Sequence, residues 1–168
     1  MRQVVVSLAI ALLATACQQA QPPDPRIAAV AERQAIDQLV AGDYPRALDA
    51  HDWNAYAATY TDDGELVLAG QSAKGHDGIV AFLGALPPDH VIHVISNLSY
   101  KIDGDAATGG AYWQDIGHVN GSPGVVVAGH YDDTLRKVNG AWKFAKRSIV
   151  IDFAAPSAAA PAETSVSK

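Results

Sequence analysis

The chain has 168 residues, 49% hydrophobic and 18% charged, a composition that excludes disorder and leaves room for one domain with a real core but not for two. Its formal charge is −6 with no basic run, so nucleic acid is excluded as a partner on electrostatic grounds. A lone cysteine, Cys17, excludes an intramolecular disulfide and leaves stability to the core.

The first segment is a leader. Arg2 supplies a positive start, and Val4 to Ala14 is apolar but too short to span a bilayer. Ala14-Thr15-Ala16 fits the small-residue cleavage rule. The cysteine directly after it, in Leu13-Ala14-Thr15-Ala16-Cys17, resembles a bacterial lipoprotein lipobox. That resemblance implies removal of residues 1–16 and lipid attachment to Cys17. It also implies a place in the cell envelope, facing away from the cytoplasm and touching the membrane only through the anchor. Ala14 stands where Leu is commoner, and ordinary secretion or a periplasmic location is the alternative. Residues 17–25 then read as the lipidated cysteine and a polar, proline-rich spacer.

A folded domain is expected over residues 26–153. Asp24 is placed to cap a helix and Pro25 suits its first position. Ile27, Val30, Ile36, Leu39 and Val40 follow at close to a 3.6-residue period. Gly42 and Pro45 should interrupt that helix, since Pro45 removes a donor and crowds the carbonyl of Ala41, before it resumes through Asp49. Asp52 can cap a short helix from Trp53 to Tyr60. Asp62-Asp63-Gly64 predicts a turn and Glu65 to Ala69 a short strand. Gly75-His76-Asp77 opens a third helix that Pro87-Pro88 closes. Two long strands follow between Asp89 and Asn120, turning at Asp103-Gly104-Asp105. Val125 to Val138 and Ala141 to Phe153 form a second hairpin around Asn139-Gly140, the strongest turn signal in the chain. Ala154 to Lys168 is an Ala/Pro/Ser/Thr tail whose composition predicts disorder. Helices first and long antiparallel strands afterwards predict an α+β domain, a curved antiparallel sheet with N-terminal helices on one face.

Turn geometry predicts register. A two-residue turn at Gly104-Asp105 sets His93 opposite Ile116 and Val91 opposite His118. His93, Ile95, Asn97, Tyr112, Gln114 and His118 then share one mixed face, suited to a small-molecule pocket. Trp113, Ile92, Val94 and Leu98 would make the other face apolar, which predicts a homodimer through the outer side of the sheet. A slip of one residue would instead put His93 opposite Asp115 and send His118 to the far side. At the second hairpin, the turn sets Asp132 opposite Arg147 and Asp133 opposite Lys146.

This order of elements, with the stretches ALDAHDWNAYAATYTDDGELV, HVISN and GHYDDTLRKVNGAWKFAKRSIV, resembles the SnoaL-like branch of the nuclear transport factor 2-like superfamily over about residues 32–153. The resemblance implies a cone of curved sheet closed by helices around a deep pocket. It leaves function open, because this fold hosts dehydratases, isomerases, cyclases, epoxide hydrolases and many non-enzymes. The catalytic pattern of scytalone dehydratase and related bacterial dehydratases carries onto Asp49 as the acidic residue and onto His93 and His118 as the pocket histidines. The family's tyrosine beside the acid is Leu48 here, with Tyr44 one helical turn earlier, and its fourth-strand asparagine is Tyr131.

Dehydration or double-bond isomerisation next to a carbonyl needs a base for a carbon-bound proton, an acid for the leaving oxygen, and donors for the enolate. His93 is the candidate base with Asp49 orienting it, and His118 a second acid or water holder. Tyr44, Asn97, Tyr112 and Tyr131 are the candidate substrate contacts. Each has a plainer account: Asp49 as a helix-end carboxylate, His93 as a satisfied core histidine, His118 as a strand-end residue, Tyr131 as packing. No metal or cofactor is required by this chemistry, and His90 and His93 point to opposite faces of a strand. The partner expected is a small hydrophobic molecule, either turned over or, as the alternative, simply held by a non-catalytic envelope lipoprotein.

Overall fold

A computed structural model describes residues 24–87 and 90–155. The leader with Cys17, most of the spacer and the tail beyond Ala155 lie outside the described residues. Helix α1 (Pro25–Gln38) starts as its sequence predicts, with the Asp24 side chain accepting from the Arg26 N–H at 2.9 Å. It widens into a π-helical turn, Leu39–Asp43, before α2 (Tyr44–Asp49). Pro45 cannot donate to Ala41, and the chain absorbs the missing bond in that wider turn rather than by breaking.

The end of α2 is built with care. His51 takes a left-handed φ of 53°, its N–H donates to Leu48 O, and the Asp52 N–H donates to Ala47 O. That Schellman closure satisfies the last carbonyls and aims the next segment away. Asp52 then caps α3 (Trp53–Ala58), accepting from the Ala55 N–H at 2.9 Å. The helix is shorter than predicted because Tyr60 already belongs to β1 (Tyr60–Leu68). Asp62-Asp63-Gly64 sits inside that strand as an irregularity rather than as a turn before it. β2 (Gln71–Lys74) and α4 (Gly75–Gly84) follow.

Four long strands complete the sheet: β3 (Ile92–Asp103), β4 (Ala106–Val119), β5 (Ser122–Val138) and β6 (Ala141–Ala154). The order is β2-β1-β6-β5-β4-β3, antiparallel throughout except that β1 runs parallel to β6. The sheet is therefore mixed, within the predicted α+β architecture. Among the described residues no helix is long and apolar enough to cross a membrane.

Both predicted hairpin registers hold beside their turns and fail further out. Asp103 pairs with Ala106 and Tyr100 with Gly109, as the turn dictates, but beyond Asn97 the pairing shifts and His93 lies opposite Asp115. Asn97, at φ 53°, occupies the bulge, and asparagine is among the few side chains that tolerate that conformation. The shift reverses the inward face of β3: His93 and Ile95 point in before the bulge, and Leu98, Tyr100 and Ile102 after it. In β6, an extra residue at Ala145 moves the partners of β5 by one. Arg147 consequently faces Asp133, not Asp132, and Lys146 faces Thr134.

That second bulge creates the centre of the core. Arg147 is fully buried, and its Nε and Nη2 donate to the two Asp133 oxygens at 2.9 and 2.7 Å. The Tyr100 hydroxyl donates to the same carboxylate at 2.6 Å. Tyr44, Tyr131 and Phe144 close over the guanidinium at 4.1, 3.8 and 4.0 Å from ring centre to Cζ. Dispersion and cation–π contact thus surround a charge that its bidentate partner neutralises. Coulombic attraction from Asp133 holds the guanidinium charged despite its burial.

Candidate active site

The site lies where the C-terminal end of α2 meets β3 and β4. A carboxylate in the last turn of a helix opposes the local dipole, so Asp49 needs partners outside its own helix. β3 supplies them. The Asp49 Oδ1 accepts from the His93 backbone N–H at 3.1 Å and stands 2.6 Å from His93 Nδ1. The second contact selects the tautomer with its proton on Nδ1 and turns Nε2 toward the sheet. Nε2 stands 3.3 Å from Asp115 Oδ1. His93 and Asp115 are mostly buried, their side chains 11% and 12% exposed, whereas Asp49 retains 32%.

These groups open onto a cavity of about 210 Å³. Leu48, Leu68, Leu83, Leu86, Val127 and Ile149 form most of its wall, with Tyr44, Tyr56, Trp113 and Tyr131 as the aromatic part. Trp113 stacks on Tyr131 at 5.9 Å, and its ring rests against Gly129, where an added Cβ would meet the Val150 carbonyl oxygen at 1.8 Å. The Tyr56 hydroxyl donates to Tyr44 at 3.0 Å. Burial pushes the Tyr56 and Tyr131 hydroxyls well above the usual phenol range, so both stay neutral and keep a proton to donate.

Of the residues expected from sequence, His93, Tyr44 and Tyr131 line this cavity, and Asp49 joins them through its contact with His93. His118, Tyr112 and Asn97 do not. His118 is exposed on the opposite face of β4, and Tyr112 is 56% exposed there. Asn97 is exposed in the bulge and shares only a shallow outer depression with Tyr112 and His130. The cause is the alternation of β4, which runs unbroken from its turn and keeps Trp113 and Asp115 inward with Ala107 and Ala111 and Tyr112 and His118 outward, while the one-residue shift at Asn97 brings His93 over to that inward face. Trp113, expected on an outer apolar face, is 5% exposed and lines the cavity. Asp115 was legible only as the consequence of a slipped register, and the mid-strand asparagine was its one signal. Among the described residues no group of three His, Cys, Asp or Glu has the arrangement of a metal site.

The SnoaL-like domain family matches residues 28–148 of this chain. The chain belongs to that family. An NTF2-like protein with a cystatin-like fold from Novosphingobium aromaticivorans superposes on it with a TM-score of 0.68 at 21% identity, over 79% of this chain and 89% of that one. A type 2 hexachlorocyclohexane dehydrochlorinase, LinA, gives 0.68 at 21% identity, over 80% and 95%. A proposed scytalone dehydratase from Novosphingobium aromaticivorans gives 0.65 at 23% identity, over 80% and 98%. At these identities the likeness establishes the nuclear transport factor 2-like fold of this SnoaL-like protein. A search of the curated proteins gives no match.

Proposed function

We propose that this SnoaL-like protein is a cofactor-independent dehydratase or double-bond isomerase that acts on a small, neutral carbonyl compound by His–Asp chemistry. The observation that carries the reading is the 2.6 Å contact between Asp49 and His93 Nδ1 at the edge of a mostly apolar cavity. A helix-end carboxylate serving only as a cap would not be threaded onto an imidazole 44 residues away. His93 Nε2 is the base that removes a proton next to the carbonyl. Asp49 steadies the imidazolium that results. Tyr131 and Tyr44, kept near the cavity floor, are the donors for the developing enolate oxygen. The dehydrochlorinase and the proposed scytalone dehydratase of the same fold are named for eliminations, the reaction class proposed here.

Size narrows the substrate. An apolar cavity of about 150 Å³ takes benzene, so 210 Å³ suits one ring with a substituent or two and favours it over a steroid. The Asp115 carboxylate in the wall, with no unneutralised cation among the described lining residues, disfavours an anionic substrate. The test is enone formation from 3-hydroxycyclohexanone, followed by absorbance, in wild type, His93→Ala and Asp49→Asn. Turnover lost in both variants supports the reading. Saturable binding of the ketone without turnover favours the second reading, a non-catalytic carrier, to which the mostly aliphatic wall lends weight.

Attachment to the envelope through Cys17 rests on the leader sequence alone, and lipid labelling that disappears in Cys17→Ser checks it. A homodimer through the outer sheet face has support in Ile92, Ile116 and Val125, which lie side by side across three strands at 61%, 37% and 47% exposure. Sedimentation of wild type against Ile116→Lys tests that contact.

A further inference from the structure

Asp115 has no part in the dyad, yet the bulge at Asn97 brings it opposite the imidazole. It is mostly buried, it lines the same cavity, and its Oδ1 stands 3.3 Å from His93 Nε2. His93 is thereby flanked on both ring nitrogens, by Asp49 from α2 and by Asp115 from β4. With Nδ1 carrying a proton toward Asp49, a second proton is required between Nε2 and Asp115. Without it, a nitrogen lone pair and a carboxylate oxygen would face each other with both side chains mostly buried. We infer that Asp115 is a catalytic residue that shares one proton with His93 and delivers it to a leaving hydroxyl. The inference rests on the His–Asp reading above and adds the acid which that reading lacks.

The step balances without any external group. In the reacting tautomer Asp115 is protonated and His93 Nε2 has its lone pair. Nε2 takes the carbon-bound proton, and the C–H electrons become the new C=C bond. The C–O bond breaks with its electrons on oxygen, which takes the Asp115 proton and leaves as water. His93 is then imidazolium and Asp115 a carboxylate, and transfer of the proton across the 3.3 Å gap restores the start. Hydroxide is a poor leaving group and needs that acid, whereas chloride does not. The presence of Asp115 therefore points to an alcohol, a β-hydroxy carbonyl compound, as the substrate class rather than a halide. The remaining titratable groups in the lining are Tyr44, Tyr56 and Tyr131. Arg147 lies behind two of their rings and is already neutralised by Asp133.

The experiment is NMR titration of the His93 ring nitrogens in the full-length protein, compared among wild type, Asp115→Asn and Asp49→Asn. A shared proton predicts that Asp115→Asn lowers the affinity of Nε2 for its proton at least about tenfold, a midpoint shift of one unit. Asp115→Ser, also uncharged and smaller, gives the same readout should the amide disturb the strand. A His93 titration unchanged in both Asp115 variants but moved by Asp49→Asn overturns this inference and leaves the dyad standing. A titration moved by none of the variants overturns both.

Discussion

Two histidine–aspartate pairs sit on opposite faces of the same sheet and differ only in where they are. His93 Nδ1 and Asp49 Oδ1 are 2.6 Å apart; His130 Nδ1 and Asp152 Oδ2 are 2.7 Å apart. The first imidazole is 11% exposed, lines a cavity and has a second carboxylate on its other nitrogen. The second is 36% exposed, and water can solvate either partner in place of the other. Contact distance alone would rank them as equals. Position in the fold makes one the candidate for proton transfer to a bound molecule and the other a screened surface pair.

The largest expected effect separates the pairs by activity. Replacing His93 by Ala should lower turnover about 10²–10⁴-fold, the range of a lost general base, while His130→Ala leaves it unchanged; steady-state kinetics on the hydroxyketone reads both. Next comes the buried ion pair, which sharpens the contrast in stability. Arg147→Ala strands the Asp133 carboxylate in the core and should cost about 3–5 kcal/mol in urea unfolding. The bulge that distinguishes the two faces is open to a milder test. Asn97→Val places a β-branched residue at φ 53° and should cost about 1–2 kcal/mol, whereas Asn97→Gly should be nearly neutral.

The smallest effect is the pH dependence of the outer pair. The hydrogen bond that His130 donates to Asp152 raises its pKa above the ordinary value of 6.5. A raised histidine stabilises the fold fully below its unfolded value, and the contribution fades as pH rises through the folded one. Thermal unfolding of wild type against Asp152→Asn should thus differ below about pH 6 and converge at alkaline pH. Exposure keeps the difference under about 1 kcal/mol.

Much of this was written locally. Asp24 and Asp52 cap the helices they were expected to cap, because a side-chain oxygen two or three residues from an unpaired N–H needs nothing distant. Gly104-Asp105 and Asn139-Gly140 turn as expected, since Gly104, Asn139 and Gly140 are residue types that take a left-handed φ at little cost. The family resemblance carried Asp49 and His93 to the site for the same reason: each is tied to a recognisable local stretch.

What the chain alone determined was most of the elements, the caps at Asp24 and Asp52, the turns of the two long hairpins, the α+β architecture, and two residues that meet at the candidate site, Asp49 and His93. Only the tertiary structure decided which face of β3 and β4 looks inward. That choice rests on single bulged residues, Asn97 and Ala145, each placed by the packing of a curved sheet rather than by any periodicity. Because side chains alternate every residue along a strand, one such insertion exchanges a whole face. The one at Asn97 carried His93 and Ile95 onto the inward face that Trp113 and Asp115 hold on β4, and the one at Ala145 set Asp133 opposite Arg147.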